Sequence, residues 1–219
     1  MLKIEEKIYC IYQREWEILM AMAEIKNCFG MVFQEKQQEE EQVIHTLHQM
    51  VRKGMLSVDN EKMEIASDYT AWLENVKQAK KIFHFMQRQE EGWEHGVAYM
   101  GEVVTIFTCS KTRKDAFDVR SVDKENWTSF FLEMELFPTY RTEGKSGECE
   151  EVIMEETKGC DMMFVKNITT IVAEIDIEKK QETGWFAFGE EEGKQFLLYQ
   201  KEATKKTPYT MEALKKILA

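Results

Sequence analysis

The chain has 219 residues, a hydrophobic content of 43% and a formal net charge of −11 at pH 7. Acidic chains repel the phosphates of nucleic acids and the anionic surfaces of membranes, so the composition argues against both as partners. The hydrophobic content predicts a folded globular body, and no segment approaches the roughly 20 apolar residues that a membrane-spanning helix needs.

The cysteines indicate a reducing compartment. They form no C-x-x-C motif and are scattered along the chain, at Cys10, Cys28, Cys109, Cys149 and Cys160. Isolated thiols of this kind behave as small buried hydrophobes in the cytosol. The first residues carry charges within their apolar run, which is not typical of a signal peptide. We therefore expect a cytoplasmic protein.

The first eighty residues predict a helical unit with a small hairpin. Apolar residues at helical spacing predict one helix over 14–29 and a second that begins near Glu39. Gly54 follows the second helix, as a C-terminal capping residue would. Two short strand candidates then flank a four-residue turn, and Ser67 or Asp68 can cap a third helix.

From Lys81 the pattern changes from helical spacing towards the alternation that is typical of strands. The strand candidates in this part are KIFHFM, VAYMGEVVTIFTC and AFDVRSV, with turns at EEGWEHG and KTRKD. Asp123 can cap a following helix, KENWTSFFLEMELF, which Pro138 ends. A short antiparallel sheet followed by one helix is therefore predicted here.

A similar order returns near the C-terminus. Residues 139–160 have the weakest pattern, with an exposed loop predicted at EGKSGE and either a short helix or an edge strand at EEVIMEE. Strand signals resume in DMMFVKNITTIVAEIDIE, WFAFG and KQFLLYQKEA, with turns at KKQETG and EEEG. Thr207 and Pro208 have the form of an N-cap and first helical residue, so they predict the start of the last helix.

These elements predict an α+β fold. A winged-helix-like helical subdomain is expected over residues 1–79, followed by a mixed antiparallel sheet with helices over 80–219. Segments 80–137 and 161–219 share the same order of strands and terminal helix, which favours two sheet-plus-helix units in a quasi-two-fold arrangement. Both parts are expected to form one compact body. The pattern leaves open whether the two units form one continuous sheet.

Sequence motifs do not indicate catalysis, and we expect a non-enzymatic protein without a cofactor. The acidic clusters GECEEVIMEE and EEEG are interpreted as solvated turns, because clustering in sequence does not bring carboxylates together in a cleft. GKSGE lacks the leading glycine of a phosphate-binding loop.

A metal site is also not predicted, although one helix carries candidate ligands. Glu41, His45 and His48 lie at i, i+4 and i+7 of the second helix, where they could approach zinc or nickel. No third strong ligand accompanies the two histidines, and both lie on the polar side of the helix. His84 and His95 are isolated in sequence, so we expect structural roles for them.

The late strand in GWFAFG has large apolar residues on both faces. Alternation places Phe186 opposite to Trp185 and Ala187. Helices must then cover one face, and the other face needs a partner, a second sheet or another subunit. We predict Trp185, Phe186 and Phe188 as partner-binding residues, and the fourteen methionines either fill the core or add adaptable surface.

Four segments together carry a resemblance to a known family. They are IYQREWEILMAMAEI with its Glu-Trp pair, VIHTLHQMVRKGML with its Gly-apolar ending, YTAWLENVKQAKKIFHF before the sheet, and GWFAFGEEEGKQFLLY as closing strands. In this order they resemble the EspG-type chaperones of type VII (ESX) secretion, of which this chain would be a divergent, compact member. The resemblance implies a cytosolic protein that binds a small helical secreted protein and shields its apolar tip.

An alternative function is open at this point: a winged-helix transcriptional regulator with a C-terminal sensor or dimerisation domain. A DNA-reading second helix should present basic or amide side chains at its N-terminus. Here that end carries Glu39, Glu40 and Glu41, which have the wrong sign for DNA. We therefore expect no nucleic-acid partner, and a homodimer is compatible with either function.

Overall fold

A computed structural model gives the fold. It describes residues 7–26, 40–59, 62–127, 129, 150–151, 158–200 and 204–218. Among the described residues, the helices with given bounds are α1 (Gln13–Met22), α2 (Glu40–Arg52), α3 (Ser67–Gln78) and α4 (Met211–Leu218), together with a 3-10 helix, η1 (Gly159–Phe164). The strands are β1 (Tyr9–Tyr12), β2 (Leu56–Asp59), β3 (Lys62–Ile65), β4 (Lys81–Gln89), β5 (Gly92–Met100), β6 (Val104–Cys109), β7 (Ala116–Val122), β8 (Glu150–Glu151), β9 (Ile168–Asp176), β10 (Gln181–Glu191), β11 (Lys194–Gln200) and β12 (Thr204–Pro208).

One antiparallel sheet dominates the described part of the chain, so the fold is α+β with sheet prevailing over helix. Its ten strands run in the order β1-β7-β6-β5-β4-β9-β10-β11-β12-β8. The two predicted units therefore form one continuous sheet, joined where β4 pairs with β9. On either side of that pair a four-stranded meander runs outward, β4 to β7 and β9 to β12. This order is symmetric about the β4–β9 junction.

The N-terminal helices pack on one side of the sheet, here called the first face. Trp16 of α1 is fully buried and stacks on Trp72 of α3, with ring centroids 5.6 Å apart. Both indoles contact Phe107 of β6, so the helices and the sheet share one hydrophobic core. β1 also belongs to the main sheet, through its pairing with β7. The predicted division between residues 1–79 and 80–219 stays a prediction.

The first face carries a second hydrophobic cluster under η1. Met162 of η1 packs with Met86, Ile171 and Trp185. Arg88 fixes the end of η1, because its Nη2 donates to the carbonyl oxygens of Met163 and Val165, both at 3.0 Å. The loop that enters β9 is thereby attached to β4.

The opposite side of the sheet, here called the second face, is covered by α4 and by Trp127. Phe83 and Phe85 of β4 point to this side, whereas Ile82 and Met86 belong to the clusters of the first face. Trp127 packs on Phe83, with ring centroids 4.7 Å apart. The alternation of a strand thus buries large side chains on both faces of the sheet.

The predicted order of the first eighty residues is largely confirmed. Gly54 has φ +69°, and Met55 donates its N–H to the carbonyl of Met50, which closes α2 as a left-handed glycine cap. β2 and β3 form a separate two-stranded sheet, as predicted. The predicted cap of α3 was wrong, because Ala66 is the N-cap and its side chain makes no capping hydrogen bond. The winged-helix-like assignment of this unit stays a prediction.

One turn prediction and one strand prediction in the first meander were wrong. The turn after β4 contains only Glu90 and Glu91, so GWEH belongs to β5. Gly96 is a strand residue rather than a turn signal, because a Cβ there would lie 2.2 Å from the Phe85 ring. The long strand predicted over VAYMGEVVTIFTC is two strands, and the break at Gly101 is held by Asn75, whose Oδ1 accepts the N–H of Val103 at 3.2 Å.

Near the C-terminus one strand was missed and two boundaries moved. DMMF is 3-10 helix, and β9 begins only at Ile168. β12 was not predicted; it pairs with β11 and includes Pro208, which lies opposite Phe196 rather than at the start of a helix. Thr210 caps α4 instead, since its Oγ1 accepts the N–H of Ala213 at 3.0 Å.

Several predictions fall outside the described residues. These are the end of the first helix beyond residue 26, most of the helix after Asp123, the EGKSGE loop and residues 152–156 of EEVIMEE. Glu150 and Glu151 are described, and they form β8 at the edge of the sheet beside β12. Of the two alternatives for that segment, the edge strand is confirmed for these two residues.

Candidate functional site

A groove of about 790 Å³ lies on the second face, between α4 and the sheet. α4 is amphipathic: Leu214 is fully buried, while Ala213 and Ile217 are half-buried and line the groove. Tyr209, just before the helix, is buried and anchors it to the sheet through an edge-to-face contact with Phe188 at 5.0 Å. The anchor and the cap at Thr210 fix α4 as one wall of the groove.

The floor of the groove is largely apolar. Phe83, Phe186 and Tyr199 contribute rings from three strands, and Pro208 of β12 adds a further apolar surface. Phe186 is 4% exposed, so only a small part of its ring is available to a ligand. A floor of this kind suits apolar side chains inserted from a partner.

Polar residues mark one end of the groove and its outer wall. Glu174 accepts from Lys81 Nζ at 2.9 Å and from Thr183 Oγ1 at 3.0 Å, so its carboxylate is held by two side chains of neighbouring strands. Glu212 and Lys216 line the groove from α4. The site therefore combines an apolar floor with charges of both signs at its rim.

The three predicted partner-binding residues have different positions. Phe186 lines the groove from its own face of the sheet. Trp185 also borders the groove, although its side chain belongs to the cluster of the first face and its Nε1 donates to Gln200 Oε1 at 2.6 Å. Phe188 does not line it and is covered by Tyr209. The predicted alternation is confirmed, because Phe186 and Phe188 join the cluster of the second face and Trp185 that of the first. Their role in binding a partner stays a prediction.

The second helix does not assemble a metal site in the part of the chain that is described. His45 and His48 are exposed, and the His45 ring instead contacts Gln49, with Nε2 atoms 2.9 Å apart. Among the described residues, no group of three or more His, Cys, Asp or Glu side chains could hold a metal ion. The acidic turn after β10 holds no convergent carboxylates, and Glu191 pairs outward with Lys206 at 3.1 Å.

Sequence reasoning missed a histidine pair on the first face. His84 of β4 and His95 of β5 stack, and His84 Nε2 lies 3.1 Å from His95 Nδ1. Burial, with a smaller contribution from the nearby His95, lowers the pKa of His84 to about 4, and burial also lowers the pKa of His95. A two-residue turn at Glu90 and Glu91 would have predicted this neighbourhood, because it fixes the register of the hairpin.

Within the described residues, no helix is both long and apolar enough to span a bilayer. The chain matches no protein-family model, and no curated protein is detectably similar to it in sequence.

A solved structure of the Mycobacterium tuberculosis type VII secretion system chaperone EspG5, in complex with a PE25-PPE41 dimer, is similar in fold. The TM-score is 0.63 over 97% of this chain and 94% of the EspG5 chain, at 10% sequence identity. The likeness therefore extends over nearly the whole of both chains, and at this identity it concerns the fold. The EspG-like architecture expected from the sequence is confirmed at that level.

Proposed function

We propose that this protein is a non-enzymatic, chaperone-like adaptor of the cytoplasm that holds a helical secreted protein in the groove beside α4. The observation that carries the proposal is the groove itself, which has a volume of about 790 Å³, an apolar floor and a charged rim. The fold likeness supports the choice of partner, since EspG5 was solved with a PE25-PPE41 dimer.

Groove geometry suits the apolar face of a helix. A helix that lies in such a groove inserts side chains at i, i+3 or i+4 and i+7, and the groove must bury those side chains while leaving the polar face of the helix in water. Phe83, Phe186 and Tyr199 supply the apolar contacts, while Glu212 and Lys216 stand where the polar face would emerge. Shielding of this kind keeps an amphipathic secreted protein soluble before export.

The test is co-expression with small helical proteins encoded by neighbouring genes, followed by size-exclusion chromatography and calorimetry. Ala213→Arg places a long side chain in the groove from a half-buried position, so it should reduce affinity about tenfold or more while the chain still folds. Lys215→Glu is the matched control, because Lys215 is exposed on the same helix and does not line the groove.

Two outcomes would contradict the proposal. One is an Ala213→Arg variant that binds the helical partner as tightly as the unchanged chain does. The other is a purified protein that associates with nucleic acid alone, in a salt-dependent manner, as the regulator alternative requires.

A further inference from the structure

The outer side of α2 carries an apolar stripe that nothing in the described part of the chain covers. Thr46 and Met50 face the core, whereas Ile44 is 49% exposed and Val51 is 38% exposed. Leu47 lies between these two and is only partly buried. Positions 44, 47 and 51 are spaced i, i+3 and i+7, so they form one continuous seam along the helix.

The charges of α2 are divided between its two ends. Glu40 and Glu41 occupy the first turn and Arg52 the last. At about 100° per residue, Glu41 and Arg52 lie on the same flank of the apolar seam. Within the described residues neither of them forms an ion pair.

The apolar seam and the charges beside it are complementary to those of a second copy when the two helices are related by a two-fold axis. If two copies of α2 pack antiparallel about a two-fold axis near Leu47, Ile44 of each copy meets the other copy's Val51. The same two-fold axis places the flank that carries Glu41 and Arg52 beside the equivalent flank of the other copy. In this arrangement Glu41 of one copy and Arg52 of the other are offset by only about 3 Å along the helix axes, which is two residues at a rise of 1.5 Å per residue. A parallel pair would instead bring Glu41 of both copies to the same end of the seam, far from the other copy's Arg52.

We propose that the apolar seam of α2 is a homodimer interface, formed with α2 of a second copy in antiparallel orientation. The interface lies on the N-terminal helices, over the first face, and the groove beside α4 lies on the second face. The dimer is therefore independent of the proposed function, and each can fail without the other.

The test is sedimentation equilibrium of the full chain over a concentration series. One helix pair buries less than a standard interface, so we expect a dissociation constant in the micromolar range, about 1–100 µM. Replacing both seam residues, Ile44→Ser with Val51→Ser, should leave a monomer throughout the series. Phe164→Ser is the control, because Phe164 is 89% exposed and lies outside the seam. If association were an unspecific contact between exposed apolar side chains, this variant would weaken it.

Charge reversal tests the orientation. Glu41→Arg alone should weaken the dimer about tenfold, because it replaces the attraction between Glu41 and Arg52 by repulsion between two arginines. The two-fold axis makes this change occur twice in each dimer. The combined variant Glu41→Arg with Arg52→Glu should restore the original constant within about twofold. A monomeric unchanged chain, loss of association in Phe164→Ser but not in the seam variant, or failure of the combined variant to restore the dimer would each overturn the proposal.

Discussion

The carboxylate of Glu15 accepts from Lys53 Nζ at 2.5 Å, and this ion pair joins the start of α1 to the end of α2. Glu15 is 2% exposed, and its second oxygen accepts the N–H of Tyr12 at 3.0 Å. Lys53 also lies over the Tyr12 ring, with Nζ 4.6 Å from the centroid. Lys53 therefore holds the start of α1 against the residues that follow α2.

Lys53→Met should lower the free energy of unfolding by about 2 kcal/mol, because it leaves the buried Glu15 carboxylate without its cation. The double variant Lys53→Met with Glu15→Gln should recover much of that loss, since the amide oxygen can still accept from Tyr12. Urea denaturation measures both. Equal stability of the single and double variants would show that the charge of Glu15 is not the cause.

Stability should fall as the pH is lowered from about 6.5 to about 4. In the unfolded chain a histidine takes up a proton near pH 6.5, while burial keeps the pKa of His84 at about 4, so the unfolded state binds more protons between these values. The contribution of His84 to this loss should be on the order of 2 kcal/mol, and it is complete once the pH lies below the lower value. Thermal melts across this range should show a shallower slope for His84→Gln than for the unchanged chain.

Gly101→Ala should destabilise the turn between β5 and β6. An added Cβ would lie 2.1 Å from Asn75 Oδ1, and Asn75 is already fixed because its Nδ2 donates to Thr105 Oγ1 at 2.8 Å. The side chain cannot move aside without losing that hydrogen bond, so we expect a loss of about 2 kcal/mol. Chemical denaturation of Gly54→Ala provides a comparison, since nothing lies within 4 Å of a Cβ there and only the positive φ of +69° opposes it.

Phe188→Ala should reduce stability by about 3–4 kcal/mol, because it removes a buried ring from its contact with Tyr209. Phe164→Ala, at an exposed position, should change stability by less than about 0.5 kcal/mol. Denaturation midpoints compare the two. A small loss in Phe188→Ala would mean that the anchor of α4 does not depend on this ring.

Local sequence signals were sufficient where one short-range rule decided the structure. Gly54 marks the end of α2 because only a left-handed residue closes the helix there. Alternation in GWFAFG correctly separated Phe186 from Trp185, since successive strand residues point to opposite faces. The same local signals failed at Gly96 and Pro208. There a ring packed over the backbone and a strand pairing decided the conformation.

Composition and periodicity were enough to indicate an acidic α+β chain with two successive runs of strand signals and no catalytic motif. Long-range contacts, in contrast, join both runs of strands into one sheet through β4 and β9, bring His84 to His95, and leave a groove between α4 and the rings of Phe83 and Phe186. Strand pairing and helix docking depend on contacts between residues far apart in the chain, and no local pattern encodes those contacts. Periodicity reports which face of an element is apolar, but it does not report which other element covers that face.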